Sequence, residues 1–360
     1  MSRVHGEVGR SPTLCDRKVA FFTIFLYKIS ILCYTIYRIE IGVFMLVLSI
    51  IVLLVSLFLI IKFSDVFVDA ATAIAESFKV PKIVIALTIA AFCTCAPELA
   101  ISFNSIASGN SDMTLANVIG SSIINILLII GISAIVKPIK LKERTVRKEL
   151  PLLLIITSAF FFLINDSLFN SGVKNSLSRA DGIVLLIWFI TFCIYIFSIV
   201  RKHKDLFPDK PKYSRKEAIL RTILSIIGII ITSDLIVDSA VYIAESMHIS
   251  QKIIAMTIIV IGTSLPELTI TLVSAKKGEF DMAIGNIIGT NIFNICVVLG
   301  LPITIFGTIS SSAFNLVDLV VVLLAGLLLF IFGRSDRELS RREGIIMLIV
   351  VIVYYIYIFV

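Results

Sequence analysis

Two glutamates stand where an apolar chain has least use for them. The stretches "FCTCAPELAIS" (Phe92–Ser102) and "IGTSLPELTIT" (Ile261–Thr271) each place a carboxylate, Glu98 or Glu267, directly after a proline. Both lie inside runs apolar enough to cross a membrane. Pro97 and Pro266 have no N–H to give the carbonyls four residues earlier, those of Cys93 and Gly262, so each helix is expected to open near its middle. A free carbonyl in hydrocarbon costs several kcal/mol, and a carboxylate at a helix centre costs about 2.5–3.5 kcal/mol on the insertion scale. A bound cation relieves both penalties together. A second wall is also readable: Asn117, Ser121 and Asn125 recur every four residues, as do Asn286, Thr290 and Asn294, laying amide and hydroxyl oxygens along one stripe. Gly120 and Gly289 in the same turns allow that wall a close approach to its neighbour. Carboxylate, hydroxyl, amide and backbone oxygens make an all-oxygen set, which suits hard ions such as Ca2+ and Na+.

One copy alone has a plainer account. Proline kinks are ordinary in membrane helices, a lone Asn glues helices together, and a single buried Glu serves as a hydrogen-bond partner. Duplication decides between the accounts. A shift of 169 residues sets Glu98 on Glu267 without gaps, and 17 of 40 positions then agree between 86–125 and 255–294. The agreements include Thr94 with Thr263, Pro97 with Pro266, Gly109 with Gly278, Asp112 with Asp281, Asn117 with Asn286, Gly120 with Gly289 and Asn125 with Asn294. Upstream, "SDVFVDAATAIAES" from Ser64 falls on "SDLIVDSAVYIAES" from Ser233. The acids repeated there (Asp65, Asp69, Glu76; Asp234, Asp238, Glu245) sit toward the ends of long helices and read as capping or interfacial groups.

The elements that must carry these groups follow from composition. Of 360 residues 58% are apolar and only 16% charged, and mean hydropathy is +1.04, so the fold class is all-α integral membrane. Helices are read at roughly 43–75, 83–109, 112–136, 150–166, 179–200, 217–245, 253–275, 281–306, 315–333 and 343–359. Ten transmembrane helices then divide into two five-helix repeats, and an odd number forces the second copy to enter the membrane inverted, as in secondary transporters. The expected organisation is an N-terminal extension (1–41), a first repeat (42–200), a cytoplasmic linker (201–216) and a second repeat (217–360). Lys79, Lys82, the cluster Lys137–Lys148, the run Arg201–Lys216, Lys276, Lys277 and Arg334–Arg342 gather on one side, against Lys174, Arg179 and Lys252 on the other. The basic side is expected to be cytoplasmic, so the net charge of +7 is a topology signal and calls for no nucleic-acid partner.

Residues 1–41 admit two readings. "VAFFTIFLYKISILCYTIY" is an eleventh helix or cleaved signal, with Lys28 against it, or the protein begins near Met45. The six cysteines, Cys93 and Cys95 included, show no framework spacing and read as reduced packing residues. His5, His203 and His248 fall outside the spans, which argues against an imidazole metal site.

"CTCAPELAIS…GNSDMTLANVIGSSIINILLIIG" and "GTSLPELTIT…GEFDMAIGNIIGTNIFNICVVLG" resemble the two alpha repeats of the cation/calcium exchanger superfamily, particularly the prokaryotic sodium/calcium exchanger proteins, over about residues 43–360. The resemblance implies alternating access, with a diamond of sites between helices 2, 3, 7 and 8 and with helices 1 and 6 sliding across that core. It implies as ligands Glu98, Glu267, Thr94, Thr263, Ser264, Ser121, Thr290, Asn125 and Asn294. The chain departs from the pattern in having Cys95 where such exchangers have Ser and Asn294 where many have Asp, changes that bear on ion stoichiometry. It also lacks the large cytoplasmic loop of animal relatives, so an added calcium-sensing domain is not expected.

The expected function is a Ca2+ antiporter coupled to Na+, a multi-pass protein of a prokaryotic cell membrane exporting Ca2+, with both ions as transported substrates, the lipid bilayer as surroundings and no cofactor. A Ca2+/H+ or K+-dependent exchanger is the rival. A cation channel, which needs a continuous pore, is more distant. An enzyme is not expected, because no His or activated nucleophile accompanies either glutamate.

Overall fold

The computed structural model describes residues 14–107, 111–166, 175–202, 212–247, 260–310 and 316–359. Most of the 201–216 linker, the first turns of the seventh expected helix (253–259), Gly109, Lys174, Lys252 and all three histidines lie outside the described residues. The chain divides into two compact units, Met1–Ile51 and Val52–Val360. Of the first, residues 14–51 are helical, which includes the apolar stretch read as an eleventh helix or signal.

The helices are α1 (Leu14–Phe78), α2 (Lys82–Ile85), α3 (Ala91–Thr94), α4 (Ala96–Ala107), α5 (Ser111–Ile123), α6 (Ile130–Val136), α7 (Leu150–Ile164), α8 (Arg179–Lys202), α9 (Arg215–Ser246), α10 (Val260–Thr263), α11 (Leu265–Lys277), α12 (Phe280–Phe293), α13 (Gly300–Phe306), α14 (Leu316–Ser335) and α15 (Arg341–Phe359). Wider π-helical turns join α2 to α3 (Ala86–Ala90), α5 to α6 (Ile124–Ile129) and α12 to α13 (Asn294–Leu299), and another leads into α7 (Thr145–Glu149). Among the described residues six helices are long and apolar enough to cross a membrane, and the bent pair formed by Lys82–Thr94 and Ala96–Ala107 makes a seventh. The chain is thus a helical membrane protein. The expectation of ten crossings exceeds this count, partly because helices opened at their centres fall short of the length a straight span requires.

Local sequence explains the helix ends. Ser214 caps α9 by accepting from the Glu217 N–H at 3.4 Å. Gly278 closes α11 at φ +80°, a left-handed conformation that glycine takes without steric cost. The stretch 282–300 is buried on all sides, which its sequence permits because Gly285 and Gly289 replace side chains where other helices press in. A Cβ on Gly289 would stand 2.8 Å from the Leu87 carbonyl oxygen and from the Ala91 Cβ. This is the close approach expected for that glycine, with α12 seated against the Ala86–Thr94 stretch.

Two short strand pairs tie distant connections together: β1 (Ile139–Lys140) pairs antiparallel with β4 (Glu338–Leu339), and β2 (Ser176–Leu177) with β3 (Ile309–Ser310). The lysines assigned to the basic side make cross-links as well. Lys82 meets Glu279 at 2.8 Å, Lys142 meets Asp281 at 2.5 Å, and Lys277 meets Asp69 at 2.6 Å. These pairs are partly or largely exposed, so each contributes less than about 1 kcal/mol. Asp65, Asp69 and Glu76 act here as ion-pair partners of Lys277, Lys212 and Lys82.

Candidate ion-binding site

Each proline occupies the second position of a new helix. In the first copy α3 ends at Thr94, Cys95 turns the chain (φ −82°, ψ 2°), and Pro97 sits in the first turn of α4. In the second, α10 ends at Thr263, Ser264 turns it (φ −89°, ψ 6°), and Pro266 sits in the first turn of α11. A proline there loses nothing, since its missing N–H is one that no intrahelical carbonyl would receive. The axis bends by 48° at the Cys95 break. Glu98 and Glu267 are thereby both the third residue of a helix beginning in mid-span. At that place the unpaired N–H groups and the helix dipole favour negative charge.

The two backbones are held alike. Asn117 donates to the Glu98 carbonyl at 3.1 Å and to the Ser102 hydroxyl at 3.5 Å; Asn286 donates to the Glu267 carbonyl at 3.5 Å and to the Thr271 hydroxyl at 3.1 Å. These asparagines therefore position the carboxylate helices. Sequence reasoning put them in the polar stripe but missed their partners Ser102 and Thr271. A search of the 169-residue shift for matched hydroxyls as well as identities finds that pair.

Across the two copies the groups interleave. The Thr263 hydroxyl reaches Glu98, the Thr94 hydroxyl donates to the Ala91 carbonyl of its own helix at 3.3 Å, and the Cys95 thiol points to the Thr290 carbonyl at 3.8 Å. Glu98 and Glu267 are each 1% exposed, and neither pairs with a Lys or Arg among the described residues. Thr94, Ser121, Asn125, Ser264, Thr290 and Asn294 are buried with them, and Thr263 is half-buried. Asn125 and Asn294 lie at the start of π-helical turns, which widen the helix and commonly mark functional positions.

What distinguishes this cluster is unmet hydrogen bonding. Among the described residues 19 buried side-chain polar atoms have no partner, and ten of them belong to Glu98, Glu267, Ser121, Asn125, Ser264, Thr290 and Asn294. A buried group without a partner costs about 1–3 kcal/mol, so a cluster of ten is not tolerated for packing alone. Nearly all are oxygens. By contrast, the 460 Å3 cavity walled by Phe92, Phe189, Phe192 and Phe293 is apolar and offers an ion nothing.

Comparison with known proteins agrees with this geometry. The sequence pattern of the family described as "Sodium/calcium exchanger protein" matches residues 48–198 and 217–360. The chain belongs to the sodium/calcium exchanger family. Within that family it is 37% identical to the putative antiporter CaxA of Alkalimonas amylolytica, over 86% of this chain and 98% of that protein. It is 30% identical to the sodium/calcium exchanger MaX1 of Methanosarcina acetivorans, over 88% and 99%. The solved structure of the sodium-calcium exchanger NCX_Mj soaked with zero Na+ and Ca2+ superposes with a TM-score of 0.74 at 32% identity, covering 87% of this chain and 99% of that one. As a family member the chain is a multi-pass membrane antiporter.

Proposed function

We propose that this family member exchanges Ca2+ for Na+ by alternating access at a mid-membrane site shared by its two copies. Glu98 and Glu267 neutralise the ions; Thr94, Thr263, Ser264, Ser121, Thr290, Asn125 and Asn294 supply neutral oxygens. The observation that carries the reading is the convergence of ten unpartnered polar atoms, oxygens of both carboxylates among them, in a site with no pairing Lys or Arg among the described residues. The ions are cargo that satisfies those atoms in transit. The names of MaX1 and NCX_Mj, sodium/calcium exchangers both, support the same substrates. The proposal includes the inverted arrangement of two five-helix repeats, residues 42–200 and 217–360, with the broken helices placed so that each carboxylate is approached from a different side.

The test is 45Ca2+ uptake into vesicles under an imposed Na+ or pH gradient. Saturable uptake driven by the Na+ gradient is expected. Uptake driven by a pH gradient alone assigns the carboxylates to Ca2+/H+ exchange, and unsaturable flux far above about 10³ s⁻¹ per molecule assigns a channel.

A further inference from the structure

The basic face carries lysines at Lys137, Lys140, Lys142, Lys148, Lys276 and Lys277, yet one pocket on it is lined by arginines alone among cations. Arg147, Arg334 and Arg337 converge on a cavity of 420 Å3, with Glu143 as its single acid. Glu143 accepts from Arg147 at 2.8 Å and from Arg337 at 3.4 Å, and Arg334 has no hydrogen-bond or ion-pair partner among the described residues. Three guanidiniums against one carboxylate leave the pocket cationic. Topology needs positive charge on this face, but it does not need the charges aimed at one cavity, nor guanidinium in preference to ammonium. The planar fork of Arg is the group that matches a phosphate by paired hydrogen bonds.

The fold fixes the pocket. Arg337 sits at φ +54°, a left-handed backbone uncommon for a residue with a side chain, and its carbonyl accepts from the Leu141 N–H at 2.7 Å beside the β1–β4 pair. Arg147 lies in the π-helical turn leading into α7, and Arg334 in the last turn of α14. The remaining wall is apolar: Val146, Pro151 and Phe330. From it α7 and α14 run on as apolar helices, with Ile155, Leu327 and Ile331 on their outer surfaces. A phosphate in the pocket would thus stand at headgroup height, with hydrocarbon-facing side chains continuing from its floor. The duplication offers no such device elsewhere, since the 169-residue shift puts Leu316 on Arg147, Asn165 on Arg334 and Leu168 on Arg337.

We propose that this pocket binds the phosphodiester headgroup of an anionic glycerophospholipid, whose acyl chains lie along α7 and α14. Native mass spectrometry of the full chain, released from micelles containing equal phosphatidylglycerol and phosphatidylcholine, tests it. The expected result is retention of phosphatidylglycerol over phosphatidylcholine by roughly tenfold. The Arg147→Gln/Arg334→Gln variant should lose that preference, and Lys140→Gln/Lys148→Gln, which removes as much charge outside the pocket, should keep it. Glu143→Gln should increase retention, a result that stands even if the double arginine variant fails to fold. Equal retention of the two lipids, or equal loss in the lysine and arginine variants, overturns the proposal. Displacement of the lipid by millimolar inorganic phosphate overturns it too, by assigning the pocket to free phosphate.

Discussion

The two copies of the broken helix are built on one plan and finished differently. In the second, Ser233 of α9 donates to the Gly262 carbonyl at 3.1 Å, satisfying an oxygen left open where α10 ends at the break. Glycine makes this approach possible, for a Cβ at 262 would collide with the Val237 side chain. In the first copy Cys93 occupies the place of Gly262, and Ser64, the counterpart of Ser233, is fully buried with a hydroxyl that has no partner. Cys93 instead lines the apolar cavity beside Phe189 and Phe192 of α8. What is shared between the copies (Thr, Pro, Glu and the bracing Asn) is what the proposed function assigns to the ion; what differs sets how firmly each break is stitched to the helix beside it.

The largest expected effect falls on what is shared. Glu98→Gln and Glu267→Gln should each lower 45Ca2+ transport by more than about a hundredfold, since each removes one of two charges facing the ion in a low-dielectric site. Size-exclusion profiles should remain those of folded protein. Near-normal transport in one variant would show that the copies do not share the ion.

Next comes the stitch. Gly262→Cys gives the second copy the residue of the first and should separate α10 from α9. The Ser233 bond is then lost, at a cost of about 1–3 kcal/mol in stability, read as a lowered unfolding midpoint in detergent. An unchanged midpoint would mean that the Ser233–Gly262 contact contributes nothing.

A smaller effect is expected at the amide wall. With both carboxylates ionised the site carries about −2, enough for one Ca2+ or two Na+, and a third Na+ would go uncompensated. Asn294→Asp adds an acid that either ionises and admits another positive charge or holds a proton, so transport should depend more steeply on pH near neutrality. Flux in proteoliposomes clamped at several potentials and pH values measures both. A steep voltage dependence in the unmodified chain, equivalent to a full charge per cycle, would sink the two-carboxylate argument for near-electroneutral exchange.

The smallest effect is that of Cys95→Ser, which copies Ser264 into the first break. A hydroxyl is a harder ligand than a thiol, so the Na+ concentration for half-maximal exchange should fall a few-fold. No change in Na+ dependence would place position 95 outside the ion's reach.

Much of the site is legible in the sequence because it is written there twice. The 169-residue shift places Cys95 on Ser264, the residues at which both helices break, and aligns Asn125 with Asn294, each in the first two residues of a π-helical turn. The turns themselves left no sign, since Ile-Asn-Ile-Leu and Asn-Ile-Cys-Val read equally well as ordinary α-helix. The Ser233–Gly262 bond was likewise hidden: the sequence shows a proline freeing a carbonyl, but only packing decides which neighbour answers it. The convergence of Arg147, Arg334 and Arg337 depends on strands β1 and β4, two residues each, far below any length at which alternation is readable.

Those strand pairs also limit how the halves can move. β1 and β2 lie in connections of the first half, β4 and β3 in connections of the second, and each pair is zipped at two positions. One zip borders α6 and α15, the other α8 and α13. A motion that rocked the part before residue 203 as a block against the part after residue 211 would have to tear both zips at once. Opening the carboxylates to either side is cheaper if the zipped helices stay together as a fixed frame. Under the proposed alternating access, the parts left to travel are α9 and the Val52–Phe78 portion of α1, which no strand among the described residues fastens, like shutters moving over a window that does not.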